Sequence, residues 1–205
     1  MTSMRKLTLF ALITLLADFG LRAQNSSPSE EALLGGSLDA PIRIDLFSDY
    51  QCPACRNLYL ETIRPVLKDY SEANKVCIVY HDFPLKSHQY AREAARYSQA
   101  ALRVGRRQWL AVVDALYTNQ PAWSQDGKIE AAITAAVSPE DLQKIKKLLT
   151  YPYINEAIDR DIVLGQNRKV ESTPTLFVIA VGREQKVVGG IPYPVLRDFF
   201  NRIVK

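Results

Sequence analysis

The feature that most constrains this fold is a pair of cysteines where a strand pattern gives way to a helical one. The run at residues 42–47 predicts a buried strand. After the cysteines, apolar residues recur at helical spacing, at Tyr59, Leu60, Ile63, Val66, Leu67 and Tyr70. Cys52 and Cys55 therefore lie at a strand-to-helix junction, which predicts one sheet-and-helix unit built around them.

The residues between the cysteines indicate how their sulfurs behave. Pro53 suits the first position of a helix, so Cys52 falls at about the N-cap, beside unpaired backbone N–H groups and the positive end of the helix dipole. Cys55 follows one turn later, within reach of Cys52. A free cysteine has a pKa of about 8.5, and cysteines of such motifs at helix starts have values of roughly 3.5–7. We therefore expect a thiolate on Cys52 and a reversible Cys52–Cys55 disulfide.

The first 23 residues have the pattern of a cleaved signal peptide. Arg5 and Lys6 precede an apolar stretch at residues 7–17, and residues 21–23 suit a cleavage site. The alternatives are an uncleaved anchor or an apolar N-terminal helix. A cleaved signal predicts a periplasmic or secreted protein, in a compartment where disulfides persist.

Length and charge exclude some classes of function. The chain has 205 residues, 47% of them hydrophobic, which is ordinary for a globular protein with a substantial core. Residues 1–23 carry Arg5, Lys6, Arg22 and Asp18, so their removal lowers the formal charge from +4 to +2. A mature chain this close to neutral gives no electrostatic reason to expect a nucleic-acid partner.

Beyond the signal, we divide the chain into a flexible segment at residues 24–38 and one domain at residues 39–205. A second strand is predicted at residues 75–81, which with the first gives a right-handed parallel βαβ unit. The motif helix between them contains Pro65, which should kink it. A helical insertion follows at about residues 88–168, with Gly105 as a helix stop and Ser138 as a helix start.

The C-terminal part predicts two more strands and a helix. Thr173-Pro174 opens an apolar run at residues 176–181, residues 182–184 suit a hairpin turn, and residues 186–188 form a short strand. A terminal amphipathic helix carries Val195, Leu196, Phe199, Phe200 and Ile203. The fold class is therefore α/β, with the order βαβ, a helical block and ββα around a central mixed sheet.

A strand–CxxC–helix unit followed by Thr-Pro at the start of a hairpin strand resembles the thioredoxin superfamily. The large helical block is similar to that of its DsbA-like branch of exported thiol–disulfide oxidoreductases, and the likeness covers residues 39–205. The resemblance implies that Cys52 is the attacking, exposed sulfur and Cys55 the buried resolving one. It also implies that Pro174 is a cis proline facing them and that Thr173 offers backbone hydrogen bonds to a substrate peptide. The alternative is a trans Pro174 that begins an edge strand.

The sequence departs from that family at two points. Many relatives carry a buried acid six residues before the first cysteine, where this chain has Leu46. Asp45 is adjacent, but strand alternation directs it to the opposite face, which leaves the acceptor of the Cys55 proton open. Pro53-Ala54 brings no charge between the cysteines, so we expect a less oxidising pair than in relatives with a histidine there.

The resemblance implies a protein thiol–disulfide oxidoreductase that acts through a mixed disulfide on Cys52, resolved by Cys55. It implies protein or peptide thiols and disulfides as substrates, a redox partner that recycles the pair, and no cofactor. Oxidase, reductase and isomerase directions stay open. Isomerases are often dimers, and with no dimerisation segment evident we expect a monomer.

Two other functions are compatible with these residues. Cys52, Cys55, Cys77 and His81 have the ligand types of a zinc site, and the chain could instead be a redox-silent thioredoxin-like binding module. We interpret Cys77 as a small buried hydrophobe, His81 and His88 as structural or surface residues, and Trp109 and Trp123 as core or surface anchors. Asp49 and Gln51 either tune Cys52 or form a solvated loop edge.

Overall fold

The structure is a computed structural model that describes residues 32–204. Its centre is a five-stranded mixed sheet in the order β1–β3–β2–β4–β5. The strands are β1 (Leu33–Gly35), β2 (Ile42–Ser48), β3 (Val76–Asp82), β4 (Thr175–Ala180) and β5 (Arg183–Val188). β2 pairs with β3 in parallel and with β4 antiparallel, as predicted. The thioredoxin-like α/β fold class is confirmed.

The first strand corrects the prediction of a flexible segment at residues 24–38. Leu33–Gly35 pairs antiparallel with β3, and the Tyr80 N–H donates to the Ala32 carbonyl over 2.9 Å. Leu34 is buried in the core. This short segment is ordered because it supplies backbone partners to the open edge of β3, a long-range effect that three residues of local sequence do not reveal.

The motif helix changes its winding along its length. It begins as α1 (Pro53–Leu58), continues as a π-helical turn at Tyr59–Ile63, returns to α at α2 (Arg64–Val66) and ends as a second π-helical turn at Leu67–Ser71. Pro65 lies between the two wide turns and has no N–H to donate to the helical ladder. We predicted a kink at Pro65; the structure shows wider winding on both sides of it.

The insertion between β3 and β4 is entirely helical apart from its loops. Its helices are α3 (Ala91–Val104), α4 (Arg106–Thr118), α5 (Gln120–Asp126), α6 (Ile129–Ile133), α7 (Pro139–Leu148) and α8 (Pro152–Asn167). Gly105 ends α3, and the Ser138 hydroxyl caps α7 by accepting from the Asp141 N–H over 3.1 Å. Trp109 and Trp123 are both buried in the core.

The sheet separates two kinds of surroundings. Even-numbered residues of β2 and β3, such as Leu46 and Tyr80, belong to the main core together with the motif helix and α4. Phe47 on the other face forms a smaller core with Phe83, Val170 and Phe177. Gly165 of α8 lies against Phe47 and Phe83, and a Cβ there would come within 2.6 Å of the Phe83 ring. The C-terminal part of α8, which carries Asp161 and Gly165, therefore lies on the sheet face opposite the site.

The C-terminal hairpin begins its turn one residue earlier than predicted. Val181 and Gly182 both have positive φ, 51° and 68°, and connect β4 directly to β5. β5 is accordingly longer than the predicted strand at residues 186–188. The terminal helix α9 (Tyr193–Ile203) packs its apolar side into the main core through Leu196 and Phe200.

Two predictions concern residues outside the described range. The signal peptide at residues 1–23 and the part of the lead-in at residues 24–31 both fall there. Within residues 32–204, no helix has the length and apolar character needed to cross a membrane.

Candidate active site

Cys52 lies at the N-cap of the motif helix, as predicted. Its backbone is extended, with φ −73° and ψ 121°, and Pro53 occupies the first turn. The Cys52 N–H donates to the Asp49 carbonyl over 3.2 Å, while the Cys52 carbonyl accepts from the Arg56 N–H over 3.1 Å. The sulfur therefore sits beside the unpaired N–H groups of the first helical turn.

The two sulfurs differ less in exposure than the sequence suggested. Cys52 is 6% exposed and Cys55 is 1% exposed, and both are free thiols in this structure. The expectation of an exposed Cys52 is wrong in degree, because the residue lies under the loop that carries Thr173 and Pro174. Only a small part of Cys52 meets solvent.

Hydrogen bonds shift the Cys52 thiol toward its ionised form. The Cys55 thiol contributes most, and the Cys55 and Ala54 backbone N–H groups and the Thr173 side chain add to it. Together they outweigh partial burial and lower the pKa of Cys52 from its usual value to about 6. More than half of the Cys52 thiols are consequently ionised at neutral pH, and such a thiolate attacks disulfides readily.

Cys55 shifts in the opposite direction. Burial, the hydrogen bond with Cys52 and the charge on Cys52 raise the pKa of Cys55 well above its usual value, while Ser48 acts to lower it. Leu46 is buried in the core and supplies no proton acceptor. The pair thus consists of a ready nucleophile and a second thiol that keeps its proton until the first has reacted.

Thr173 and Pro174 lie opposite Cys52. The bond between them is cis, as predicted. The Thr173 carbonyl accepts a hydrogen bond from the Cys52 sulfur over 3.5 Å, and the Pro174 carbonyl accepts from the Gly189 N–H over 2.8 Å. The antiparallel pairing of β2 with β4 brings the start of β4 to the end of β2, where the cysteines are.

Gln120 is a site residue that the sequence did not reveal. It is buried at the start of α5, and its side-chain Nε2 donates to the Tyr50 carbonyl over 2.6 Å and to the Cys52 carbonyl over 2.9 Å. A glutamine in an amphipathic helix carries no local signal of this role, since its partners are about 70 residues away in the sequence. The helical insertion therefore holds the loop that presents Cys52.

Asp49 and Gln51 are structural ties and do not form a solvated loop edge. The buried Asp49 carboxylate accepts from the Gln51 N–H, the Leu85 N–H and the His88 ring, the last over 2.8 Å. Gln51 accepts from the Tyr90 N–H and donates to the Ser124 carbonyl. Both side chains fasten the loop before Cys52 to the insertion.

Three buried hydroxyls lie behind Cys55, and we call them the hydroxyl chain: Ser48, Tyr117 and Tyr80. The Ser48 hydroxyl interacts with the Cys55 sulfur and lies 2.7 Å from the Tyr117 hydroxyl. The Tyr117 hydroxyl lies 2.7 Å from that of Tyr80. Sequence patterns did not single out these residues, because they come from β2, α4 and β3 and meet only in the folded protein.

The proposed zinc ligands are not brought together. Cys77 and His81 share the sheet face of Phe47, opposite the motif helix, and among residues 32–204 no group of three or more potential ligands could hold a metal. Burial raises the pKa of Cys77 to about 11, consistent with a buried hydrophobe. His81 is a structural residue that contacts Asp161 over 3.0 Å.

A groove runs along the motif helix from Ala54, two residues after Cys52. It encloses about 530 Å³ between the helix and the loop before α9. Its lining combines polar side chains of the helix with apolar residues of the loop: Ala54, Asn57, Leu58, Glu61, Thr62, Gly190, Ile191, Pro192, Tyr193 and Pro194. An extended segment that reaches Cys52 could lie in this groove.

The arrangement of the CxxC motif, the cis proline and the sheet agrees with comparisons to known proteins. A family model described as thioredoxin matches residues 29–185. The chain belongs to the thioredoxin family. Among curated proteins, this family member is 24% identical over 147 residues to a probable disulfide bond formation protein D of Bacillus cereus, covering 70% of this chain and 68% of that protein.

Solved structures similar to this thioredoxin-family chain include two DsbA proteins. Pseudomonas aeruginosa DsbA2 has a TM-score of 0.66 and 24% identity, covering 85% of this chain and 94% of that one. Wolbachia pipientis alpha-DsbA1 has a TM-score of 0.69 and 17% identity, covering 84% and 89%. The predicted DsbA-like fold and membership of the thioredoxin family are confirmed.

Proposed function

We propose that this protein is an exported thiol–disulfide oxidoreductase that exchanges disulfides with protein substrates through Cys52 and Cys55. The observation that carries the proposal is the difference between the two thiols. The pKa of Cys52 is lowered to about 6 at a helix N-terminus, while that of the adjacent, buried Cys55 is raised. This difference makes one sulfur the attacking group and reserves the other for the second step.

The chemistry proceeds by two exchanges at sulfur. In the reducing direction, the Cys52 thiolate attacks a substrate disulfide, forms a mixed disulfide and releases one substrate thiolate. Cys55 then loses its proton and attacks the Cys52 sulfur, which forms the Cys52–Cys55 disulfide and releases the second substrate thiol. The oxidising direction is the reverse. In both directions, the bonds that form and break join only these two sulfurs and those of the substrate, and no cofactor takes part.

A peptide substrate would be held by backbone contacts beside Cys52. The Thr173 carbonyl accepts from the Cys52 thiol in this structure. In a mixed disulfide Cys52 has no hydrogen to donate, so this carbonyl becomes available to a substrate N–H. The groove between the motif helix and the loop before α9 supports the rest of an extended chain. These features favour unfolded or flexible protein segments as substrates.

The pair should be moderately oxidising. A lower thiolate pKa stabilises the reduced form, and the most oxidising motifs have a value of about 3.5. Here the pKa of Cys52 is about 6, and Ala54 contributes only its backbone N–H. We expect a potential below that of the strongest oxidant of this class, about −120 mV, when the pair is equilibrated with glutathione. A measured value equal to that oxidant would contradict this expectation.

Export and recycling complete the proposal. We assign residues 1–23 to a cleaved signal peptide and residues 39–205 to a single DsbA-like domain that works as a monomer in the periplasm or outside the cell. The name of the Bacillus cereus relative, a probable disulfide bond formation protein, agrees with such a role. The redox partner that recycles the Cys52–Cys55 pair sets the direction of electron flow.

The test compares Cys52→Ser with Cys77→Ala as a matched cysteine control. Reduction of insulin and oxidation of a dithiol peptide are both measured. We expect Cys52→Ser to lose both activities by at least about 1,000-fold, because a serine hydroxyl is not ionised at neutral pH, and Cys77→Ala to keep them. Retained activity in Cys52→Ser would refute the assigned roles.

A further inference from the structure

The surroundings of Cys55 point to a group that acts in the second exchange. A hydrogen bond from the Ser48 side chain acts to lower the pKa of Cys55. The Ser48 hydroxyl also lies 2.7 Å from that of Tyr117, which in turn lies 2.7 Å from that of Tyr80. All three side chains of the hydroxyl chain are at most 2% exposed. Water is therefore not the usual partner of these groups, and their hydrogen bonds go to one another and to sulfur.

A count of hydrogens gives the hydroxyl chain a direction. Each of its three hydroxyls carries one hydrogen and can accept at least one more bond. When Tyr80 donates to Tyr117 and Tyr117 donates to Ser48, the Ser48 hydrogen is left for the Cys55 sulfur. Aligned hydroxyls polarise one another, so the last donor is stronger than an isolated serine. The hydroxyl chain is thus suited to stabilise a negative charge on the Cys55 sulfur.

Besides the Asp49 carboxylate, which is bonded to the His88 ring over 2.8 Å, the buried titratable groups on this side of the sheet are neutral when Cys55 is about to attack. Burial raises the pKa of Tyr117, Tyr80 and Tyr50 well above their usual values. Asp82, which interacts electrostatically with Tyr50, has a pKa raised to about 8 by burial. Cys52, on the same helix, loses its charge when it enters a mixed disulfide. None of these groups brings a positive charge, so the Ser48 hydroxyl and the Asp49 backbone N–H are the donors that can stabilise a Cys55 thiolate.

We propose that Ser48 is a catalytic residue of the second exchange, in which it donates a hydrogen bond to the Cys55 sulfur, and that Tyr117 is a positioning residue that acts through Ser48. The proposal rests on the proposed function, because it concerns the resolving step of that reaction. It supplies a role for the buried hydroxyls in a chain that has Leu46, and not an acid, six residues before Cys52.

The reaction step is balanced for a glutathione mixed disulfide. Cys55 attacks the Cys52 sulfur, the bond between Cys52 and the glutathione sulfur breaks, and its electron pair leaves with glutathione. The Cys52–Cys55 bond forms, and the proton lost by Cys55 ends on the departing glutathione thiolate. Ser48 keeps its own hydrogen throughout and only points it at the sulfur that becomes anionic.

The experiment follows both exchanges separately. The reduced full-length protein is mixed with oxidised glutathione, reactions are quenched with acid, and mass spectrometry counts the dithiol, the mixed disulfide and the Cys52–Cys55 disulfide over time. In Ser48→Ala we expect the first exchange within about twofold of the parent rate. We expect the second to be about tenfold slower, which corresponds to ~1.4 kcal/mol of lost stabilisation, with its pH profile about one unit higher.

Tyr117→Phe provides a second variant that keeps the ring and removes only the hydroxyl. We expect a smaller slowing of the second exchange, about threefold, because Ser48 still donates but is less polarised. Tyr59→Phe is the matched control, since its ring stacks on Tyr117 at 4.6 Å while its hydroxyl bonds to Asp114. This control should leave both exchanges unchanged.

Each outcome separates the two proposals. A parent protein that forms no Cys52–Cys55 disulfide with glutathione refutes the proposed function. A parent that does so while Ser48→Ala and Tyr117→Phe resolve the mixed disulfide at the parent rate refutes the role of the hydroxyl chain alone. Equal slowing of both exchanges in Ser48→Ala would also refute it, because a general structural defect does not select the resolving step.

Discussion

The two faces of β2 and β3 use polar groups in opposite ways. On the face of the cysteines, buried polarity is neutral: the hydroxyl chain and the protonated form of Asp82. On the other face it is ionic, where Asp45 pairs with Arg43 and Arg168 over 2.6 Å each. The residues alternate along the same two strands, so the difference comes from what packs on each side.

The ionic face anchors the end of the insertion. Arg168 follows α8 and lies over the Phe177 ring at 3.6 Å, and Asp161 of α8 accepts from the Asp82 N–H. Burial lowers the pKa of His81, but Asp161 and Asp45 outweigh it, so that the pKa is raised overall. A fixed set of charges suits a structural contact. Neutral hydroxyls can instead donate hydrogen bonds to the negative charge that forms on Cys55 only during exchange.

The largest expected change in stability comes from removing the carboxylate of Asp45 from the ionic face. Asp45→Ala removes the buried carboxylate shared by Arg43, Arg168 and His81, whose side chains are 34%, 20% and 6% exposed. We expect the free energy of unfolding to fall by about 3 kcal/mol in urea denaturation, because loss of one partner strands the others. The rate of the first exchange at Cys52 should stay unchanged, since Asp45 lies on the other face.

Asp159→Ala provides the matched control for that change. Asp159 also pairs with an arginine, Arg92, but its side chain is 58% exposed. We expect a loss of less than about 0.5 kcal/mol. If both alanine variants lost the same small amount, the ionic face would not be a stabilising element and the contrast between the faces would fail.

The next largest effect is a difference in how stability depends on pH for the carboxyl groups on the two faces. The folded pKa of Asp82 is about 8, above its unfolded value, so the protonated acid favours folding and stability is lost as the pH rises from about 4 to 8. Asp45 has a folded pKa of about 2, so its contribution is lost only as the pH falls below about 4. The two faces therefore prefer opposite ends of the pH range.

Asp82→Asn should remove the loss of stability at high pH. The slope of unfolding free energy against pH between 5 and 8 should become less negative by up to about 1.4 kcal/mol per pH unit, relative to the parent. Part of the parent slope should persist, because the raised pKa of His81 acts in the same direction. Parallel curves for parent and variant would show that Asp82 does not titrate in this range.

The smallest effect concerns the far end of the hydroxyl chain. Tyr80→Phe removes one buried hydroxyl but leaves Tyr117 bonded to Ser48, so we expect a loss of about 1 kcal/mol in unfolding free energy. Tyr153→Phe, at a partly exposed position on α8, should change it by less than about 0.5 kcal/mol. A loss in Tyr80→Phe as large as that of Asp45→Ala would mean that the neutral face is as dependent on its polar groups as the ionic one.

Local sequence was sufficient for features that depend on neighbouring residues. Pro53 after Cys52 places the cysteine at the helix start, Ser138 caps its helix, and the apolar runs give β2, β3 and β4 to within about one residue. The cis Thr173–Pro174 bond and its place beside the cysteines followed from resemblance to the thioredoxin superfamily.

What the sequence did not reveal depends on distant partners. Leu33–Gly35 becomes a strand because β3 has an open edge, and Gln120 reaches the motif loop because α5 packs there. The exposure of Cys52 was overestimated, since the covering loop lies more than 100 residues away in the sequence. The hydroxyl chain joins three elements, and no spacing within any one of them predicts it.

The two hydrogen bonds from Gln120 matter for any design that moves the CPAC motif into a smaller scaffold. The carbonyls of Tyr50 and Cys52 are oriented by a side chain from the insertion. A minimal scaffold that kept only the sheet, the CPAC segment and the cis proline would lack this clamp. Modular redesign should therefore carry α5 with the motif, because the accessory helices are part of the reactive machinery itself.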